Sequence, residues 1–368
     1  MALKRQIGCV LHTIVRHTLL IINAVFILCY VMGLLGTIIP PGKFVLCSYF
    51  GLLFPFWIVG NLFFIVFWGL RRRKYAFMSL LLLLVSFRAC NNTITLPLAR
   101  NTNPDSTQVS LLTYNISCYA GDSEFTRITR YLLEQDADIV CLQEFGFYKN
   151  GKTRQDKIFK KMGKQYPYRH VWYKNQQGSR WWGVATFSKF PIVNKKKIEY
   201  TSDYNISVYS DIVVRGDTLR VINNHLESNR LTMRDVRNYE NLSKVPNSQA
   251  LKAVTKKFSA KFGQAYRIRA RQARIVADVI DLSPYKVVVC GDFNDVPQSY
   301  AYHTIRRQRD GLRDVRIALH WFYAYTYNRY GMYACIDHVL IDRCFIPTTY
   351  RIDHVPYSDH YPVFVAWK

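Results

Sequence analysis

Residues 1–97 contain no aspartate and no glutamate, although nine lysines and arginines lie among them. A soluble surface normally mixes both signs, so this stretch does not read as one. The chain has no CxxC pair and no Cys/His ligand spacing, which excludes zinc-ribbon and dithiol redox classes. Its nine cysteines (Cys9, Cys29, Cys47, Cys90, Cys118, Cys141, Cys290, Cys335 and Cys344) are therefore expected as buried free thiols. No Ser or Cys occupies a nucleophile motif, so a covalent intermediate is not expected. No internal repeat or low-complexity tract is visible, which excludes solenoid and compositional-tail readings.

What the first hundred residues do contain is apolar length. Leu19–Ile39 is closed by Pro40 and Pro41, and Phe44–Leu70 follows. Each exceeds the roughly 20 residues that cross a bilayer. Neither run holds a charge, and the runs are too few for a transporter. A third run from Tyr75 is interrupted at Arg88 and spans only if it continues to about residue 95. Lys4, Arg5 and Arg16 precede the first run, and Arg71, Arg72, Arg73 and Lys74 follow the second. The positive-inside rule places both clusters in the cytoplasm. If the third run crosses, the rest of the chain lies on the outer side, and that is the expectation. The expected organisation is a membrane anchor over residues 1–98, a polar linker over 99–108 and a second domain over 109–368.

From Val109 the pattern changes to short β-branched runs with few helices between them. Strands are expected at Val109–Tyr114, Ile139–Leu142, Gly183–Phe187, Ser207–Val214, Leu219–Asn223, Lys286–Val289, Cys335–Ile341 and Pro362–Ala366. Ser123–Gln135 and Tyr266–Leu282 carry helix-spaced apolar residues. Many strands and few helices imply two packed sheets flanked by helices. The basic stretch Arg230–Lys261, with Pro246, Asn247 and Ser248 in its middle, is expected as a surface loop.

Five apolar strands end on polar groups that could share one site. Leu111–Tyr114 ends on Asn115, an amide able to bind a metal or hold a carboxylate. Ile139–Gln143 delivers a lone carboxylate, Glu144, of the kind that holds Mg²⁺ beside water and substrate phosphate. Val221–Asn224 presents His225. Val287–Cys290 runs into Gly291, expected at a tight turn, then Asp292, Phe293 and Asn294. In extended geometry Asp292 and Asn294 point to one side. Ile336-Asp337-His338 and Ser358-Asp359-His360 add carboxylates and a second imidazole, a pairing that fixes a tautomer and a charge.

In this order the motifs resemble the endonuclease/exonuclease/phosphatase superfamily, which includes pancreatic-type deoxyribonucleases, abasic-site endonucleases, neutral sphingomyelinases and inositol polyphosphate 5-phosphatases. Gly183–Ile192 and Asp295 with Pro297 are similar to further marks of the group. The resemblance covers about residues 109–368 and implies a four-layer α/β sandwich of mainly antiparallel sheets. It implies Mg²⁺, with Mn²⁺ as a substitute, held by Glu144 and Asn115 with Asp359 nearby. It implies Asp292, helped by Asn294, as the group acting on the attacking water. It implies His360, held by Asp337, and His225 as imidazoles on the phosphate; the pair points away from abasic-site repair.

The expected function is metal-dependent hydrolysis of a phosphodiester beside a lipid bilayer. The domain from residue 98 onward holds 41 basic against 25 acidic residues, a field that draws polyanions, whether nucleic acid or phospholipid. Phosphomonoester hydrolysis and non-catalytic phosphate binding are the alternatives. Trp172, Tyr173, Lys174, Arg180, Trp181 and Trp182 read first as core and edge packing, with a base-stacking surface or an interfacial belt as the alternatives.

Overall fold

The structure, a computed structural model, describes residues 2–97, 99–102, 107–117, 122–148, 152–176, 180–232, 235, 237, 248–329 and 331–368. It divides into an apolar unit built on Met1–Ile94 and a second built on Thr95–Pro297 and Ala301–Lys368.

The first unit consists of α1 (Ala2–Leu35), α2 (Leu46–Leu52), α3 (Phe54–Leu70), α4 (Ala76–Val85) and α5 (Phe87–Thr93). One helix, over Gly8–Leu35, is long and apolar enough by itself to cross a membrane. The other two apolar runs are broken. A 69° bend separates α2 from α3, and a 76° bend separates α4 from α5. Polar side chains join the helices where no water would reach. Asn23 Nδ2 donates to Ser79 Oγ at 2.9 Å, Ser79 Oγ to Asn61 Oδ1 at 2.8 Å, and Trp68 Nε1 to Asn23 Oδ1 at 3.1 Å. Buried polar groups are costly unless paired, so these bonds help fix how the helices pack.

The second unit holds two six-stranded sheets. The first has the order β13 (Pro347–Ile352), β14 (Val363–Trp367), β1 (Val109–Asn115), β2 (Ile139–Tyr148), β4 (Arg180–Ser188) and β3 (Tyr168–Gln176). The second has the order β5 (Ile192–Ile198), β6 (Ser207–Val214), β7 (Asp217–His225), β8 (Lys286–Asp292), β12 (Asp337–Ile341) and β9 (Arg313–Asp314). Each sheet has one parallel pair at its centre, β1 with β2 and β7 with β8, and antiparallel neighbours elsewhere.

Side-chain alternation along these strands builds the layers. Leu111, Cys141, Val221, Val288, Cys290, Val339 and Val365 face one another between the sheets. Leu112, Tyr114, Val140 and Leu142 face outward, onto Ile128 and Leu132 of α6 (Asp122–Gln135) and Ile158 and Met162 of α7 (Lys152–Met162). On the other side Ile222, Val287, Val289 and Leu340 meet Ala273, Val276 and Ile280 of α8 (Ser248–Asp281). The result is the expected four-layer α/β sandwich.

Several expectations need correction. Ser248–Lys261 is the first part of α8, not a loop; the remainder of the expected loop lies largely outside the described residues. Val254 and Phe258, at helical spacing, are half-buried there. Gly291 lies inside β8 rather than at a turn. Its φ is +118°, and a Cβ there would meet the Asn224 carbonyl oxygen at 2.1 Å, so only glycine fits. Among the eight described cysteines, all unpaired, Cys9 and Cys344 are exposed; Cys118 lies outside the described residues.

Candidate active site

The carboxyl ends of the two parallel pairs meet. Asn115 stands opposite Gln143 on β1 and β2, with Glu144 next in line. His225, Asp292 and Asp337 form a single rung across β7, β8 and β12. Buried polar bonds tie the sheets at this end. Gln143 Nε2 donates to Asn223 Oδ1 at 2.8 Å, and Asn115 Nδ2 donates to Asp292 Oδ2 at 2.9 Å. These are charge- and amide-based links in a low-dielectric interior, where leaving either group unpaired costs roughly 1–3 kcal/mol.

Glu144 does not end its strand, as the sequence suggested. β2 continues to Tyr148, and the register shifts between Gln143 and Phe145. Glu144 is the extra residue of this bulge, with φ +51°. A bulge re-aims one side chain out of the ladder. The carboxylate thereby stays about one-third exposed, 3.5 Å from Asn115 Nδ2 and 3.9 Å from His225 Nε2. Asn294 is also left-handed, at φ +52°, so the alternation expected across Phe293 does not hold. Asn294 reaches Asp292 all the same. Its backbone N–H donates to Oδ1 at 2.7 Å and its amide to Oδ2 at 3.2 Å, with a further bond to the Leu226 carbonyl at 2.9 Å.

The two imidazoles lie on either side of Asp292, each with Nε2 at 3.8 Å from Oδ2. Their surroundings differ. Burial, the largest influence on His225, holds it below the ordinary imidazole range, and its Nε2 has no hydrogen-bond partner among the described residues. Burial also disfavours charge on His360, but Asp337, Asp292 and Asp359 together outweigh it and push the ring up to about 10. Asp337 Oδ2 lies 2.9 Å from His360 Nδ1. Burial pushes the Asp292 carboxyl up to about 6, with Asp337 adding and both imidazoles opposing. At neutral pH the site therefore holds a neutral His225, a charged His360 and an Asp292 poised to take a proton.

Asp359 is turned to a different partner. Its Oδ2 accepts from Arg329 at 2.9 Å, and His360 with Arg329 outweighs burial to hold it below the usual carboxylate range. His338, beside Asp337 in sequence, points away to the Asp295 carbonyl. Oxygen and nitrogen atoms of Asp292, Asp337 and His360 lie within 4.8 Å of one another, a second arrangement able to surround a cation.

Sequence reading missed several neighbours of the site. Tyr327, on a short hairpin of β10 (Tyr327–Arg329) and β11 (Met332–Ala334), sets its ring 5.1 Å from that of His360. Thr326 Oγ1 accepts from the Asp337 N–H at 3.0 Å. Three-residue strands give too short a pattern to read. A cleft of about 700 Å³ opens beside Glu144 and His225, lined also by Trp182, Tyr204, Arg230 and Lys261. The aromatic cluster divides: Tyr173 stacks on Phe145 inside the fold, Trp172 is half-exposed, and Trp182 faces this cleft against Tyr204. The side chain of Arg180 lies outside the described residues.

Two six-stranded sheets whose central strand ends bring together carboxylates, amides and imidazoles define an α/β sandwich with a polar site at one edge. The chain belongs to the Endonuclease/Exonuclease/phosphatase family, whose profile matches residues 112–360. Members of that family are generally metal-dependent hydrolases of phosphate esters. A second profile, described as a domain of unknown function, matches residues 16–93. No curated protein is similar enough in sequence to match. Among solved structures, D. rerio TDP2 complexed with single strand DNA product is 14% identical with a TM-score of 0.50, covering 72% of this chain and 100% of that one. An endonuclease/exonuclease/phosphatase family protein from Leptotrichia buccalis is 14% identical with a TM-score of 0.47, covering 70% and 98%. At such identity the likeness to the D. rerio structure shows the fold alone.

Proposed function

We infer that this protein hydrolyses a phosphodiester by direct attack of water, with a divalent cation, Mg²⁺ or Mn²⁺, resident between Asn115 and Glu144. The observation that carries the reading is the convergence of an accessible carboxylate, a buried carboxylate of raised proton affinity and two imidazoles, one neutral and one charged. The residues fit a hard cation through Glu144: its carboxylate is about one-third exposed, which leaves room for water and phosphate, while Asn115 is buried beside it with its amide nitrogen toward Glu144 and Asp292 and its Oδ1 accepting from the Ser117 N–H. The Asp292–Asp337–His360 group fits less well, because Asp337 Oδ2 is already bonded to His360 Nδ1 and all three side chains are buried, away from the water and phosphate that a hard cation keeps. When bound, the cation supplies charge neutralisation at a phosphoryl oxygen.

The chain's own residues do the rest. Asp292, oriented by Asn115 and Asn294, accepts a proton from the attacking water. His360, kept charged by Asp337, donates to a phosphoryl oxygen, and His225 Nε2 donates to the same group. Glu144 and Asn294 hold left-handed backbone; the β2–β4 ladder on either side of the bulge fixes Glu144, and bonds to Asp292 and the Leu226 carbonyl fix Asn294.

Substrate is either nucleic acid or a phospholipid. The cleft with Trp182, Tyr204, Arg230 and Lys261 suits the group flanking the phosphate, and the D. rerio neighbour holds DNA product. Purified full-length protein offered single-stranded oligonucleotide, phosphatidylcholine vesicles, bis(p-nitrophenyl) phosphate and p-nitrophenyl phosphate tests the reading. Chelator-sensitive turnover of a diester is expected. Turnover of the monoester alone would replace it with the phosphomonoesterase alternative.

Residues 2–94 act in this reading as a membrane anchor. An outer location for the second unit requires α4 and α5 to cross together. α4 is 10 residues, about 15 Å, before the chain bends by 76°. That leaves half of a roughly 30 Å hydrocarbon core uncrossed. The bend therefore favours two crossings, with the second unit on the side of Arg71–Lys74. A compartment-specific reporter fused at residue 100 decides the side.

A further inference from the structure

Among the described residues of the second unit, the two most exposed large aromatics sit side by side. Trp321 and Phe322 are 64% and 67% exposed. Side chains of this kind normally lose most of their surface on folding, and burial of each is favourable. Phe322 also has φ +70°. A bulky residue in the left-handed region is a rare and unfavourable choice where glycine would serve. The turn persists because its backbone is held at both edges. Thr95 N–H donates to the Phe322 carbonyl at 3.0 Å, and Phe322 N–H donates to the Thr95 carbonyl at 2.9 Å. Thr95 Oγ1 donates to the carbonyls of His320 and Phe322, at 2.7 and 2.9 Å. Thr95 is fully buried under these bonds.

Thr95 is the second residue after Thr93, where the last apolar helix ends. Two residues of chain span at most about 7 Å. A loop bonded to Thr95 therefore cannot leave the surface at which that helix ends, on whichever side of the bilayer that is. The geometry points to Trp321 and Phe322 as a docking loop that inserts into the lipid interface. This rests on the reading of residues 2–94 as a membrane anchor. Tryptophan is the residue type enriched at that level, where its ring meets acyl chains and its N–H meets water.

The loop is also wired to the catalytic strand ends. Met332 and Tyr333 on β11 are exposed beside it, and Tyr323 Oη donates to the Tyr333 carbonyl at 2.9 Å. A few residues on, Thr326 receives the N–H of Asp337, Tyr327 bridges to His360, and Arg329 holds Asp359. A loop docked at Trp321 and Phe322 is thus joined, through Thr326, Tyr327 and Arg329, to the residues that carry Asp337, His360 and Asp359.

Full-length protein reconstituted in phosphatidylcholine vesicles tests this with a photo-crosslinking amino acid placed singly at Trp321, Phe322, Val193 or Phe63. Val193 is 62% exposed on β5, and Phe63 is 58% exposed within α3. Lipid adducts at 321 and 322 are expected to exceed those at 193 by about tenfold, the preference that burial of an aromatic ring gives. Lipid adducts at 321 and 322 no greater than at 193, or adducts there to a second protein chain, would overturn the docking loop while adducts at 63 leave the anchor standing. Absence of lipid adducts at 63 as well would overturn the anchor and the docking loop together.

Discussion

The two sheets reach the same point with different equipment. The first delivers Asn115 and Glu144, the latter on a bulge that keeps its carboxylate open to solvent. The second delivers His225, Asp292 and Asp337 as one straight rung, all buried. An open carboxylate is free to share a cation with water and substrate, whereas a buried rung shifts proton affinities. In the proposed mechanism, metal holding thus falls to the first sheet and proton handling to the second.

The largest way to break this division is Glu144→Gln. Folding should survive, since the side chain lies outside the core, while diester turnover should fall about 10³-fold, several kcal/mol of lost charge stabilisation. A thermal melt beside a rate assay checks both. Next come the imidazoles. His225→Ala and His360→Ala should each lower turnover about 10²-fold, and the double variant should lose less than the product of the two. Asp337→Asn should resemble His360→Ala, because it removes the bonded carboxylate.

The pH dependence sharpens the second sheet's part. Asp292 must be ionised to accept a proton, so turnover should fall about tenfold per pH unit below about 6. His360 adds a stability signature. Its folded pKa, about 10, lies above its unfolded value near 6.5, so its contribution is full below 6.5 and is lost as pH rises toward 10. The melting temperature should decline across that window, and Asp337→Asn should flatten the decline.

The smallest expected effect lies outside the site. Phe322→Gly keeps the left-handed turn and removes its strain, and should raise stability by about 1 kcal/mol while removing the ring. Denaturant unfolding of the full-length protein reads the change.

The sandwich was legible because its central strands are continuous apolar runs, and the candidate site was legible because each run stops on a polar residue. What was hidden follows from local physics. β3, β5 and β13 are edge or near-edge strands, with half-exposed faces and charges such as Lys195–Lys197, so their pattern is diluted. The bulge at Glu144 has no sequence mark, since any residue type can be the extra one. Gly291 looked like a turn because glycine's usual reason is a turn; here the reason is the carbonyl of Asn224 on the adjacent strand. The polar start of α8 hid behind Pro246-Asn247-Ser248, although Val254 and Phe258 carried the helical spacing.

Mg²⁺ binding to full-length wild-type, Glu144→Gln and Asp337→Asn proteins, measured by titration calorimetry, tests the division of labour most directly. Binding lost in Glu144→Gln and retained in Asp337→Asn is the expected result. Binding retained in Glu144→Gln and lost in Asp337→Asn would place the cation among Asp292, Asp337 and His360 and contradict it.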